Sequence, residues 1–148
     1  MRRCLLQGVA MNAVPYLTFR GTCEEALSLY AGVLGGEVST MRFEDMPPNE
    51  DMSISDAWKN KVMHASLSLG GEQVLYLSDI FEGGSVKTGD NVAVHLDVDT
   101  ESDVRHFFNG LAEGATVTMP VQMQFWGAVC GCLIDRFGIN WGFHFDLA

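Results

Sequence analysis

The sequence predicts an α+β fold: paired βαβββ modules forming a cupped mixed sheet. Three observations carry that expectation. Two helix signals recur at a fixed spacing, with Thr22 and Glu25 opening GTCEEALSLYAGVLGGE and Thr100 and Asp103 opening DTESDVRHFFNGLAEGATV. Thr22 to Thr100 and Gly36 to Gly114 are both separations of 78 residues, so helix start and stop repeat in register, the mark of a duplicated unit. Each helix also follows one extended stretch and precedes three more, and those stretches alternate apolar with polar residues.

In chain order, VPYLTFRG is the first strand, and a helix follows at about 23–34. Ala26, Leu27, Leu29, Tyr30, Val33 and Leu34 form its apolar stripe, Thr22 and Glu25 its capping box, and Gly35-Gly36 its stop. EVSTMRFE, VMHASLSLGG and EQVLYLSD complete the first module, with the Pro- and acid-rich DMPPNEDMSISDAWKN between the first two. IFEGGSVKTGD reads as the linker between modules. The second module runs NVAVHLDVD, a helix at about 101–112 striped by Val104, Phe107, Phe108 and Leu111, then ATVTMPVQM, WGAVCGCLID and INWGFHFDL. Together they make a single domain at 14–147, with modules at about 14–79 and 92–147. Residues 1–13 read as an N-terminal extension, misassigned or disordered, and Met11 is a second candidate start.

The bulk numbers narrow the function classes. An apolar content of 47% in 148 residues is ample for a core. No apolar stretch approaches the roughly 18 residues of a membrane span, and the run after Arg2-Arg3 is too short for a signal peptide, so the expected compartment is the cytoplasm. Cys4, Cys23, Cys130 and Cys132 have no framework spacing and are expected to stay thiols. A formal charge of -10 repels phosphate backbones and anionic lipid, which disfavours nucleic acid and membranes and suits a small neutral or cationic ligand.

Alternation nominates the functional face. Val92, Val94, Leu96 and Val98 share one face of NVAVHLDVD, while Ala93, His95, Asp97 and Asp99 share a face too polar for a core. Leu75 and Leu77 oppose Tyr76 and Ser78, and Met63, Ala65, Leu67 and Leu69 oppose His64, Ser66 and Ser68. Pocket-lining candidates are therefore His64, Tyr76, Ser78, His95, Asp97 and His144. His106 belongs to a solvated helix face, and Cys130 and Cys132 read as buried free thiols. FWGAVCGCLIDRFGINW reads as a closing hairpin with its turn at Asp135–Gly138, Trp126 and Trp141 on the flanking strands, and Trp141 toward the helix. Glycines 127, 131 and 142 would let a ligand approach the sheet.

With these elements the chain resembles the vicinal oxygen chelate superfamily, the fold of glyoxalase I, bleomycin resistance proteins and dioxygenases. PYLTFRGTCEEALSLYAGVLGGE, VMHASLSLGGEQVLYLSD and FWGAVCGCLIDRFGINW look like its PhnB-like branch, often labelled demethylubiquinone methyltransferase-like. The resemblance implies a homodimer and a divalent metal held by His, Gln or Glu at four facing positions. Aligned on caps and turns, these fall at Pro15, Tyr76, Ala93 and Gly142, which supply no ordinary ligand set, so no cofactor is expected. A shift of two residues gives Leu17, Ser78, His95 and His144, and with it an alternative: a displaced His95/His144 site that binds a metal or acts as an acid/base pair. S-adenosylmethionine-dependent methyl transfer is rejected, because no strand leads into a Gly-rich turn at a helix N-terminus. That leaves a metal-independent small-molecule binding protein or divergent enzyme, with a metal-dependent lyase or dioxygenase-type enzyme and a drug-sequestering resistance protein as alternatives.

Overall fold

The computed structural model describes residues 4–6, 9–48 and 51–147. Two compact units emerge, Met1–Ala31 with Gly35–Val86 and Lys87–Ala148 with Gly32–Leu34, so the boundary falls inside the expected linker. In the amino-terminal extension, β1 (Cys4–Leu6) and β2 (Val9–Met11) pair as an antiparallel ribbon.

The first unit carries β3 (Tyr16–Phe19), α1 (Cys23–Leu34), β4 (Glu37–Arg42), β5 (Val62–Leu69) and β6 (Glu72–Asp79). Its sheet has the order β3-β6-β5-β4, parallel between β3 and β6 and antiparallel elsewhere. Leu17, Leu77 and Ala65 lie in register across three strands on the buried face, joined there by Leu67 and Leu75. Four of these five leave less than 2% of their surface to solvent, the arrangement an alternating strand produces when one face meets a core.

Thr22 does not cap α1 as the sequence suggested, since its side chain makes no capping hydrogen bond. Asp79, at the end of β6 and 3% exposed, takes that role from across the sheet. Its Oδ1 accepts Gly21 N–H at 2.7 Å and Cys23 N–H at 3.0 Å, while Oδ2 accepts Val62 N–H at 3.0 Å. A carboxylate at a helix N-terminus satisfies orphan donors and meets the positive end of the helix dipole. Gly21 sits at φ 96° to make the approach, and at the other end of α1 Gly36 takes φ 97°, where any Cβ would lie 2.3 Å from the Ser68 carbonyl oxygen.

The second unit carries β7 (Val94–Asp97), α2 (Glu101–Leu111), β8 (Thr116–Met123), β9 (Ala128–Ile134) and β10 (Asn140–Asp146), with strand order β7-β10-β9-β8. Here the sequence cap holds: Thr100 Oγ1 accepts the Asp103 N–H at 3.0 Å. The helix packs on β9 and β10, where Phe108 meets Phe143 edge to face at 5.7 Å. Gly131 makes that packing possible, because a Cβ there would lie 2.8 Å from Val121 and 3.1 Å from Phe108. Its missing side chain thus admits a helix residue rather than a ligand, correcting the sequence expectation.

The 135–139 turn is built around Asp135, 4% exposed, whose Oδ1 accepts the N–H groups of Phe137 and Ile139. Its Oδ2 accepts the indole N–H of Trp141 at 2.9 Å, locking that ring into the core as expected. Trp126, by contrast, lies in the turn ahead of β9 rather than on a strand, half-exposed beside the fully open Phe125.

The 78-residue register also needs correction. It holds for the helices, since Cys23 and Glu101 each begin one, but it pairs the buried Leu17 with the exposed His95. The strand-to-helix connections differ in phase, and one residue is enough to exchange the two faces of a strand.

Candidate functional site

Each unit presents a polar sheet face opposite its core, and the two are described separately. On the first, the parallel pairing sets Tyr16 beside Tyr76, so the position facing Tyr76 is Tyr16 and not Pro15. The proposed Leu17 position belongs to the core for the same reason. Tyr16, His64 and Tyr76 form a three-ring cluster with centroids 5.3 to 6.0 Å apart. Tyr16 Oη lies 3.1 Å from His64 Nδ1, so His64 is tied within the sheet and also offers a ring face. Ser78 shares the face of Tyr76 by alternation but is nearly enclosed, at 8% exposure, which removes it from the open lining.

Beside Tyr76 opens a cavity of about 650 Å³, lined also by Asn12, Glu72 and Gln73. The side-chain oxygen of Gln73 is buried there without a hydrogen-bond partner. An unpaired buried acceptor is costly to the fold.

On the second unit's polar face, His95 pairs with Gly142 and Asp97 with His144 in the parallel β7–β10 ladder, so these side chains share a face as the alternation implied. Ala93 falls one step along the same face, outside β7. The rings of His95 and His144 lie 5.8 Å apart between centroids, confirming the expected neighbourhood. Gly142 leaves room for His95, whose Nδ1 would be 2.7 Å from a Cβ at that position.

The antiparallel β9–β10 ladder adds a contact that the sequence reading missed. Cys130 stands opposite His144 and Cys132 opposite Gly142, with both thiols on the histidine face. Cys130 Sγ is 3.1 Å from His144 Nδ1, and His144 Nε2 is 2.9 Å from Asp146 Oδ1. The signal was present: positions equidistant from Phe137, the middle of the turn, must face each other, and 130 and 144 are both seven residues away. Cys23, Cys130 and Cys132 are free thiols. Burial, then Asp79 and Glu24, push the Cys23 thiol up to about 12; burial first, then Cys132 and Asp146, raise Cys130 above its ordinary value.

The resemblance read from the sequence implies a divalent metal, and the residues present do not fit one. Both nitrogens of His144 are engaged by Cys130 and Asp146, and among the described residues no group of three or more His, Cys, Asp or Glu is arranged to hold an ion. His106 is exposed on α2, as expected. Among the described residues no helix is long and apolar enough to cross a membrane.

Two sheets of β-α-β-β-β connectivity, each with its first and last strands parallel, define a protein of the glyoxalase/bleomycin resistance fold. Solved structures bear this out. Protein PA1353 from Pseudomonas aeruginosa is 36% identical and superposes with a TM-score of 0.79 over 92% of this chain and 98% of its own. A PhnB protein from Bacillus cereus is 21% identical, with a TM-score of 0.72 over 91% and 99%. A glyoxalase/bleomycin resistance protein/dioxygenase family enzyme from Burkholderia phytofirmans PsJN shares the fold at 16% identity, with a TM-score of 0.56 over 91% and 100%. The chain belongs to the 3-demethylubiquinone-9 3-methyltransferase family, whose sequence profile it matches over residues 11–143.

Proposed function

We propose that this protein binds a small, neutral or cationic aromatic molecule without a metal, as a ligand-binding protein or a divergent enzyme. The observation that carries this reading is the Tyr16–His64–Tyr76 ring cluster beside a 650 Å³ cavity that Tyr76 and Gln73 line. Rings supply stacking and cation–π surface, Gln73 adds a polar side chain to the lining, and the charge of -10 favours a cation at long range. Methyl transfer, which the family's name suggests, is not part of this reading: among the described residues each sheet joins one parallel pair to antiparallel strands.

The test is a thermal-shift screen of aromatic amines and phenols with and without EDTA, on wild type, Tyr76→Ala and Gln73→Leu. A hit unchanged by EDTA and weakened at least tenfold in both variants supports the reading. Binding that vanishes with EDTA, or survives both substitutions, sinks it. The homodimer is proposed on separate grounds: the outer strand β4 exposes Val38 and Met41, each nearly half open, and a lone mass of 16.2 kDa by light scattering would refute it.

A further inference from the structure

We propose that Cys130 is a nucleophilic thiol, with His144 as its base and Asp146 as the residue that positions the base, and that it adds to neutral α,β-unsaturated carbonyl compounds. This site lies on the second unit and does not depend on the ring cluster of the first. The argument begins with hydrogen positions. A carboxylate can only accept, so the 2.9 Å contact with Asp146 Oδ1 requires that His144 Nε2 carry a hydrogen. In the neutral imidazole Nδ1 is then bare, and it is this nitrogen that faces Cys130 Sγ at 3.1 Å. The thiol therefore donates to His144. Asp146, two residues along β10 and largely exposed, selects the tautomer without touching the sulfur.

A thiol raised by its surroundings keeps its proton at rest, which assigns His144 the work of a general base during bond formation rather than that of a standing ion-pair partner. In the addition, a Cys130 Sγ–C bond forms at the β-carbon while the C=C π pair moves toward the carbonyl. The Sγ proton passes to His144 Nδ1 and from there to the α-carbon. Nothing is oxidised and no group leaves.

The surrounding charges select a neutral partner. Asp97 and His95 face the site from β7, Cys132 from β9 itself and Asp146 from β10, while β8 sets the uncharged Gln122 opposite Cys130. No Lys or Arg stands among these groups, so an anionic electrophile gains no attraction. Cys132 supplies an internal comparison: it lies on the same face opposite Gly142, where the His95 ring fills the space, but only Cys130 is hydrogen-bonded to an imidazole nitrogen among the described residues.

The experiment labels the full chain with N-ethylmaleimide near neutral pH and follows Cys130, Cys132 and Cys23 separately by peptide mass spectrometry. Cys130 should react at least about tenfold faster than Cys132, and His144→Gln should slow it by roughly tenfold to a hundredfold while leaving Cys132 within about twofold. Asp146→Asn, a change at an exposed position, should slow Cys130 by about three- to tenfold and alter the pH profile of its rate without moving the melting temperature. Anionic iodoacetate should lag iodoacetamide more at Cys130 than at Cys132. Should His144→Gln fail to fold by circular dichroism, Asp146→Asn and the wild-type ratio decide the matter. Equal rates at Cys130 and Cys132, or a Cys130 rate indifferent to Asp146→Asn, would overturn the proposal.

Discussion

Removing the carboxylate of Asp79 should cost the first unit a large part of its stability. Three backbone N–H groups, from Gly21, Cys23 and Val62, converge on it at 2.7 to 3.0 Å. In Asp79→Ala each loses its acceptor in a setting where Asp79 itself is only 3% exposed. An orphaned buried donor costs about 1–3 kcal/mol and a lost N-cap about 0.5–2 kcal/mol, so the three together come to about 3–5 kcal/mol after partial rehydration of Gly21. That is about a fifth or more of the roughly 5–15 kcal/mol typical of a domain. Asp79→Asn retains one acceptor oxygen and turns an amide N–H toward a backbone N–H, which should place it between wild type and Ala. Urea unfolding followed by tryptophan fluorescence suits the measurement, because the Trp58 indole donates to Ile80 O, next to Asp79. If Asp79→Ala unfolds within 1 kcal/mol of wild type at unchanged m-value, the cross-sheet cap does not hold α1 and the reasoning fails.

Other outcomes follow from the same geometry. Gly131→Ala should destabilise by about 1–3 kcal/mol in denaturant titrations, because its Cβ collides with Val121 and Phe108. Gly36→Ala should be worse still and show as poor recovery of folded protein, since both the positive φ and the Ser68 carbonyl oppose it. The Glu24–Arg42 pair lowers the Glu24 carboxyl, so its small contribution, about 0.2–1 kcal/mol for an exposed pair, is present above the unfolded pKa and is lost as pH falls through the folded one; melts from pH 6 to 3 on Glu24→Gln will show it. Cys23 runs the other way. With its thiol raised from 9.0 to about 12, its contribution is complete below pH 9 and declines above it, so Cys23→Ala should flatten the loss of stability between pH 9 and 11.

Much of the architecture could be read from the pattern of residues, and the failures share a cause. Both helices and the eight strands of the two sheets lie where periodicity put them, because apolar spacing and Gly stops act within one segment. Thr22 misled because a local signature competes with whatever the fold brings near, and Asp79 arrives from 56 residues away with a full charge. The strand phase at Leu17 misled because a repeat exact for helices says nothing about a one-residue difference in the turn before them. The Cys130–His144 contact was legible from the turn at Phe137, but only once residues were paired across the hairpin rather than sorted along one strand.

The phase difference between the two halves bears on how they can be recombined. A chimaera that grafts β7 onto the first unit at the helix spacing would seat His95 where Leu17 belongs, putting an imidazole in the core and a leucine in water. Moving the splice by one residue avoids this. It would then bring His95 to the place of Tyr16, so shuffled genes from the two halves should yield folded protein at odd splice offsets from that spacing and insoluble protein at even ones.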